Sequence, residues 1–322
     1  MGHFRNEGIP ADTIKSKPMR MVVEQALAAA RNNGTVLLLG ETGSGKDYLA
    51  EFIHRESMRK AGPFISINCA ALSHQLIESE VFGHEAGAFT GAQKRKTGLL
   101  ELAHSGTILL NEIGDLPLPL QPKLLSFLDS GTFYRVGGQK LVRVDTRVLS
   151  ATNRDLIEDV QNNVFRKDLF YRLEMMVIHV PPLRERLEDL PGLARRIWKD
   201  VHGEMRVEQF CEIDPIVVQG LCRYEWLGNV RELRNCLCKL LTSPKQNVAA
   251  LGAIITEDED NWSHVIRFPD GDSMNDLIKE AKMALISEAL RRSQGKKKMA
   301  AEMLGISYVS IHHYLNNLAK MI

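Results

Sequence analysis

Along the first 180 residues the apolar positions fall into short continuous runs separated by stretches with helical spacing. TVLLLG, PFISINC, GTILLN, RVLSATN and MMVIHV, spread between Thr35 and Val180, are these short apolar runs. Runs of this kind, joined by amphipathic segments, predict a mainly parallel sheet covered by helices, with ligand chemistry at the carboxyl ends of its strands. After Pro181-Pro182 the strand signal stops. Residues 185–242 show helical spacing alone, with breaks expected at Pro191, Pro215 and Leu227-Gly228, which predicts a small helical subdomain. Pro244, the acidic run Glu257–Asp260 and Pro269-Asp270-Gly271 mark a linker, and helical spacing resumes at Met274. The chain therefore divides into an extension (1–15), an α/β core (16–182), a helical subdomain (183–242), a linker (243–272) and an all-α C-terminal domain (273–322).

Composition narrows the class without naming a partner. A chain of 322 residues with 44% hydrophobic residues and a net charge of +1 has room for two or three ordinary globular domains. It carries no global electrostatic mark of a nucleic-acid or membrane ligand, so any basic patch must be local. The five cysteines, Cys69, Cys211, Cys222, Cys236 and Cys238, include one Cys-x-Cys and no zinc-type pairing, and read as free thiols of a reducing compartment. No apolar stretch approaches the roughly 20 residues of a membrane span, and the N-terminus lacks a basic segment followed by an apolar run. A cytoplasmic location with no membrane partner is the expectation.

Candidate chemistry concentrates in GTVLLLGETGSGKDYLA, Gly34 to Ala50, a buried-type strand entering a glycine-rich loop and then a helix. Such a loop, Gly40-Glu41-Thr42-Gly43-Ser44-Gly45-Lys46, curls its N–H groups inward around phosphate, and Lys46 adds a mobile positive charge at the helix start. Asp47 follows where most phosphate loops place a magnesium-holding Ser or Thr. A second apolar run, GTILLNEIGDL, ends in Asn111-Glu112. P-loop ATPases normally present Asp then Glu there, the first for the magnesium shell and the second to polarise the attacking water.

On these motifs and on FGHEAGAFTGA, Phe82 to Ala92, the chain resembles the bacterial enhancer-binding proteins, the AAA+ ATPases that activate sigma-54 RNA polymerase. The likeness covers about Ser16 to Leu241 and, more loosely, the C-terminal fifty residues. It implies an AAA+ P-loop ATPase core, a helical lid at 183–242 and a C-terminal helix-turn-helix domain, with ATP and Mg2+ as cofactors. Glu112 is then the catalytic carboxylate, with Asp47 and Asn111 near the metal through water. Gly87, Ala88, Phe89, Thr90, Gly91 and Ala92 correspond to the family's sigma-54-contacting loop. An aromatic flanked by small residues, with little to bury it locally, suits a surface tip. Asn68, in INCAAL, matches the asparagine that holds the catalytic glutamate in an inactive pose; a strand-end amide satisfying backbone groups would look the same in sequence. Thr152 and Asn153 match the first phosphate sensor, where a polar strand end forming a turn is the competing reading. Arg231, in WLGNVRELRN, matches the second, with Leu227 replacing the usual proline. Arg166 and Arg172, six apart in FRKDLFYRL, correspond to arginines offered to a neighbouring subunit's ATP.

The segment from Lys279 to Leu318 is similar to a Fis-type helix-turn-helix, with AAEMLGIS supplying helix, turn and the start of a recognition helix. Lys296, Lys297 and Lys298 could meet phosphates, and Ser307, Tyr308, Ser310, His312 and His313 could hydrogen bond or stack, although the recognition helix lacks the family's usual arginines. The resemblance thus implies an ATP-dependent activator that binds upstream DNA, assembles into a homo-oligomer of hexamer type and remodels the sigma-54 holoenzyme. With only residues 1–15 before the core, the sequence is either a piece of a longer chain or is controlled by expression, DNA or a separate regulatory protein. Two rival readings are an ATP-gated DNA-binding scaffold that hydrolyses weakly because of Asn111, and an AAA+ remodeller of other substrates.

Overall fold

A computed structural model describes residues 14–71, 74–205 and 212–242, together with positions 293, 297, 299 and 301. The chain forms two compact units, Met1–Val265 and Ile266–Ile322, and the elements below all belong to the first.

Chain order runs α1 (Lys17–Ala30), β1 (Val36–Leu39), α2 (Lys46–Arg55), β2 (Phe64–Asn68), α3 (His74–Phe82), α4 (Leu99–Leu102) and β3 (Thr107–Asn111). Then follow α5 (Gln121–Ser130), a hairpin of β4 (Thr132–Tyr134) and β5 (Leu141–Arg143), β6 (Arg147–Thr152), α6 (Leu156–Gln161), α7 (Lys167–Leu173) and β7 (Val177–His179). The helical subdomain holds α8 (Leu190–Met205), α9 (Pro215–Leu221) and α10 (Asn229–Thr242). The five apolar runs of the sequence become one parallel sheet in the order β2-β3-β6-β1-β7.

Both faces of the central strands β1, β3 and β6 are covered, as their largely apolar sequences require, while the edge strands β2 and β7 leave Ser66, Asn68 and His179 exposed. Leu37, Ile108, Leu110 and Val148 point into one layer, with α5 and α7. Their neighbours Val36, Leu38, Leu109, Leu149 and Ala151 point into the other, against α1 and α2. Register then sets the chemistry: Asn68 lies opposite Asn111, Asn111 opposite Ala151, and Leu39 opposite Thr152, so the polar strand ends share one edge.

The helical subdomain has its own core around Trp198, Trp226, Leu233 and Leu237. Two of the three expected breaks differ in kind from the expectation. Pro191 and Pro215 lie in the first turns of α8 and α9, where a missing N–H costs no hydrogen bond, so they start helices rather than end them. The hairpin β4–β5 has no counterpart in the sequence pattern. Its three-residue strands are held by Phe133, whose ring packs edge-on against Phe82 and Phe127 at 5.7 and 5.9 Å.

Candidate functional site

The phosphate loop is built as its sequence requires. Gly43 has φ +77°, and a Cβ there would sit 2.5 Å from the Gly228 carbonyl, so no other residue fits. Gly45, at φ 105°, is the N-cap of α2 and supplies no side-chain cap, which leaves the first N–H groups of that helix aimed at the loop's concavity. Lys46 is only 5% exposed, and its ammonium donates to the carbonyls of Gly40 and Glu41 at 2.7 and 3.1 Å. Burial pulls its pKa below the ordinary lysine value, while the Glu112 and Asp47 carboxylates oppose that shift and the Arg231 guanidinium adds to it. Lys46, Asp47, Glu112 and Arg231 therefore share one electrostatic site.

The strand ends supply the rest. The Asn111 amide donates through Nδ2 to Asp47 Oδ1 at 2.5 Å and accepts through Oδ1 from the Glu112 N–H at 3.2 Å. Glu112 stands at φ 51°, a left-handed conformation that costs a non-glycine residue of order 1 kcal/mol or more and that turns its side chain off the strand axis. Its Oε2 accepts from the Asn153 N–H at 3.3 Å, and Asn153 Nδ2 donates to Thr42 Oγ1 at 3.0 Å, so the first sensor position bridges the glutamate and the loop. Thr152 is fully buried, with its hydroxyl accepting from the Arg154 N–H at 3.1 Å and its carbonyl accepting from Gly40 N–H at 3.3 Å. Asn68 is at the adjacent strand end, but its Oδ1 accepts from the Ala70 N–H at 2.8 Å rather than meeting Glu112. Arg154, unremarked in sequence, ion-pairs with Asp115 and Asp159 and fixes the loop after β6 to the turn after Glu112.

The two candidate trans-acting arginines take different settings. Arg166 precedes α7 as its N-cap, exposed and paired with Asp168 at 2.6 Å. Arg172 lies within α7, donates to the Leu128 carbonyl at 2.7 Å and sits 3.1 Å from the Asp129 carboxylate. A cleft of about 710 Å³ opens beside Arg166, lined by Leu118, Phe165, Lys167 and Tyr171 among others.

The Gly87–Ala92 loop departs from the bare tip expected of it. Gly87 and Gly91 adopt φ 82° and 104°, and the chain curls so that Gly87 N–H donates to the Ala92 carbonyl at 2.8 Å. Phe89 is half-buried, its ring edge-on to His84 with centroids 5.0 Å apart, and Ala92 is buried. His84 is itself fixed by Ser79 Oγ at 2.7 Å and the Lys94 carbonyl at 3.0 Å. The ring's partner is thus His84, five residues earlier in the same Phe82–Ala92 stretch, at the base of the loop. Beneath it, buried Arg135 of the hairpin pairs with Glu85 and Glu101, joining hairpin and loop.

Of the DNA candidates, Lys297 is helical and half-buried. Lys296, Lys298, Ser307, Tyr308, Ser310, His312 and His313 lie outside the described residues. No helix among the described residues is long and apolar enough to cross a membrane.

Comparison with known proteins agrees with this geometry. The sigma-54 interaction domain model matches residues 13–179, the AAA+ ATPase lid domain model residues 184–261, and the Fis-family bacterial regulatory protein model residues 278–313. The chain is 40% identical to the regulatory protein AtoC of Escherichia coli over 296 residues, covering 91% of this chain and 64% of AtoC. It is 37% identical to the transcriptional regulator NtrC of Klebsiella pneumoniae, covering 95% of this chain and 71% of NtrC. Among solved structures, NtrX from Brucella abortus in complex with ADP superposes with a TM-score of 0.67 at 30% identity, over 95% of this chain and 68% of that one. NtrX with ATP superposes with a TM-score of 0.64 at 28% identity, over 99% and 69%. With the core, the lid and the C-terminal region each matched in order, the chain belongs to the family of AAA+ regulators that carry a sigma-54 interaction domain and a Fis-type DNA-binding region.

Proposed function

We propose that this protein is a cytoplasmic ATP-hydrolysing transcription activator that binds upstream DNA through its C-terminal domain, assembles into a ring and remodels the sigma-54 holoenzyme. The observation that carries the reading is the convergence of Lys46, Asp47, Asn111, Glu112, Asn153 and Arg231 at one edge of the sheet, with the Gly87–Ala92 loop on the same core. Loop N–H groups and Lys46 bind the phosphates, trading the Gly40 and Glu41 carbonyls for phosphate oxygens. Glu112 orients water, and its Asn153 contact couples that carboxylate to Thr42 beside the terminal phosphate. Arg166 and Arg172, from a neighbouring subunit, neutralise charge on the transferred group after leaving their present partners.

The donor set suits a hydrated Mg2+, since Asp47 and Asn111 Oδ1 offer hard oxygens to the ion's waters. The ion, when bound, would neutralise charge on the phosphate oxygens; Asp47 and Asn111 would hold its waters. One observation favours a second reading, an ATP-gated scaffold with slow turnover: Asn111 brings no negative charge and spends its donor on Asp47. Nucleotide binding and turnover of the wild type beside Lys46→Ala and Glu112→Ala separate the readings. The activator reading expects loss of binding in the first variant and retained binding without turnover in the second. Wild-type turnover no greater than that of Glu112→Ala would leave the scaffold.

A further inference from the structure

The carboxylate of Glu41 lies in the phosphate loop, yet its partners are all in the helical subdomain. Arg184 grips it with both terminal nitrogens, Nη1 to Oε2 at 2.7 Å and Nη2 to Oε1, and Asn229 Nδ2 donates to Oε2 at 3.0 Å. Bidentate guanidinium–carboxylate geometry fixes orientation as well as distance. Asn229 is fully buried at φ 56° and binds on both sides: Nδ2 also donates to the Thr42 carbonyl at 3.2 Å, and Oδ1 accepts from the Leu183 N–H at 2.7 Å. The backbone repeats the join, with Val230 N–H donating to the Gly43 carbonyl at 3.0 Å, and Gly43 has no space for a side chain against Gly228. Nearby, Arg186 donates to the Ser44 carbonyl at 2.5 Å.

Arg231 is two residues beyond Asn229, in the first turn of α10, and stays exposed. Its place beside the phosphate loop is thus set by the bonds that dock residues 228–230 on Gly43, Thr42 and Glu41. We propose that Glu41, with Arg184 and Asn229, is a latch that positions Arg231 toward the nucleotide, so that Glu41 acts as a positioning residue and not as a phosphate ligand. A carboxylate would repel phosphate, and here its oxygens are taken by lid donors. This inference rests on the nucleotide reading above for its consequence, whereas the contacts of the latch are tested independently of it.

The test pairs two readouts on the full chain. Amide hydrogen exchange without nucleotide follows residues 227–233 in wild type, Glu41→Gln and Arg184→Lys. Loss of the latch speeds exchange there about tenfold or more in Glu41→Gln and by less in Arg184→Lys, which keeps charge but not the fork. Binding of a fluorescent ATP analogue is then measured for Glu41→Gln with and without Arg231→Ala. The latch predicts about tenfold weaker binding in the wild-type background and less than about twofold in the Arg231→Ala background, a coupling that only action through Arg231 produces. Unchanged exchange, or a full tenfold loss retained without Arg231, overturns the proposal. Failure of the wild type to bind the analogue would sink the nucleotide reading instead, while the exchange rates still decide whether the latch exists.

Discussion

Replacing Asn111 by Asp tests the chemistry at the strand ends most sharply, because Asn111 Nδ2 now donates to Asp47 Oδ1 at 2.5 Å. The substitution deletes a hydrogen bond to a charged acceptor, worth about 1.5–3 kcal/mol where water is excluded and less at this partly exposed site. It also sets two carboxylates about 4 Å apart, a repulsion of about 1 kcal/mol in a water-like medium. Without divalent cation the core should lose about 2 kcal/mol, a fall in Tm of roughly 4–8 °C for a domain of this size. Mg2+ reverses the sign, since paired carboxylates attract the ion that separates them. Thermal melts across a Mg2+ titration should show the Asp variant below wild type without the ion and level with it at millimolar Mg2+. Turnover should rise about tenfold, a barrier change of about 1.4 kcal/mol, with half-saturation at lower Mg2+. Superimposable melting and turnover curves for the two proteins would refute the reasoning and, with it, the slow-scaffold reading.

Three further outcomes follow from other parts of the structure. Phe89→Ala, which removes a ring resting on His84 far from any phosphate-loop contact, should keep ATP turnover within about twofold while abolishing capture of sigma-54 in a pull-down; retained capture would contradict the loop's assignment. Turnover per subunit should fall steeply on dilution, and mixing Arg172→Ala with Glu112→Ala subunits should restore part of it, whereas turnover flat with concentration would show that no neighbour is needed. His54 is buried against Thr107 Oγ1 at 2.9 Å, and burial holds its pKa below 6.5. The unfolded chain therefore takes up a proton first as pH falls, so stability is full above 6.5 and declines below it; urea titrations should show that decline weakened in His54→Gln, and an unchanged slope would sink the assignment.

Much of this was legible in the chain because burial on both faces leaves its mark residue by residue. Strand β3 is buried at four of five positions and stands out as the apolar run Ile108–Leu110, while β6, buried at every position, sets Val148, Leu149 and Ala151 among the buried polar residues Arg147, Ser150 and Thr152. The phosphate loop and the Asn111-Glu112 pair are local motifs, so their meeting follows once the strands are parallel and in register. What escaped was set at long range or by very short elements. The hairpin strands TFY and LVR are too brief to show a period, though they carry Phe133 and lead to Arg135. Phe89 resting on His84 depends on two glycine conformations and on a histidine pinned from Ser79. Glu41 gave no local sign that its partner lay 143 residues away. Only Gly228-Asn229, a dipeptide prone to left-handed conformations, hinted at a fixed turn before Arg231.

The central claim is that this core couples ATP hydrolysis to sigma-54 remodelling. The most direct measurement is promoter opening in a purified system, read by reactivity of unpaired thymines at the start site with sigma-54 holoenzyme, promoter DNA and this protein. The account predicts opening with ATP, none with a non-hydrolysable analogue, and none with Lys46→Ala or Phe89→Ala. Opening that persists with the analogue or with either variant, or no opening by a wild-type protein that hydrolyses ATP, would contradict it.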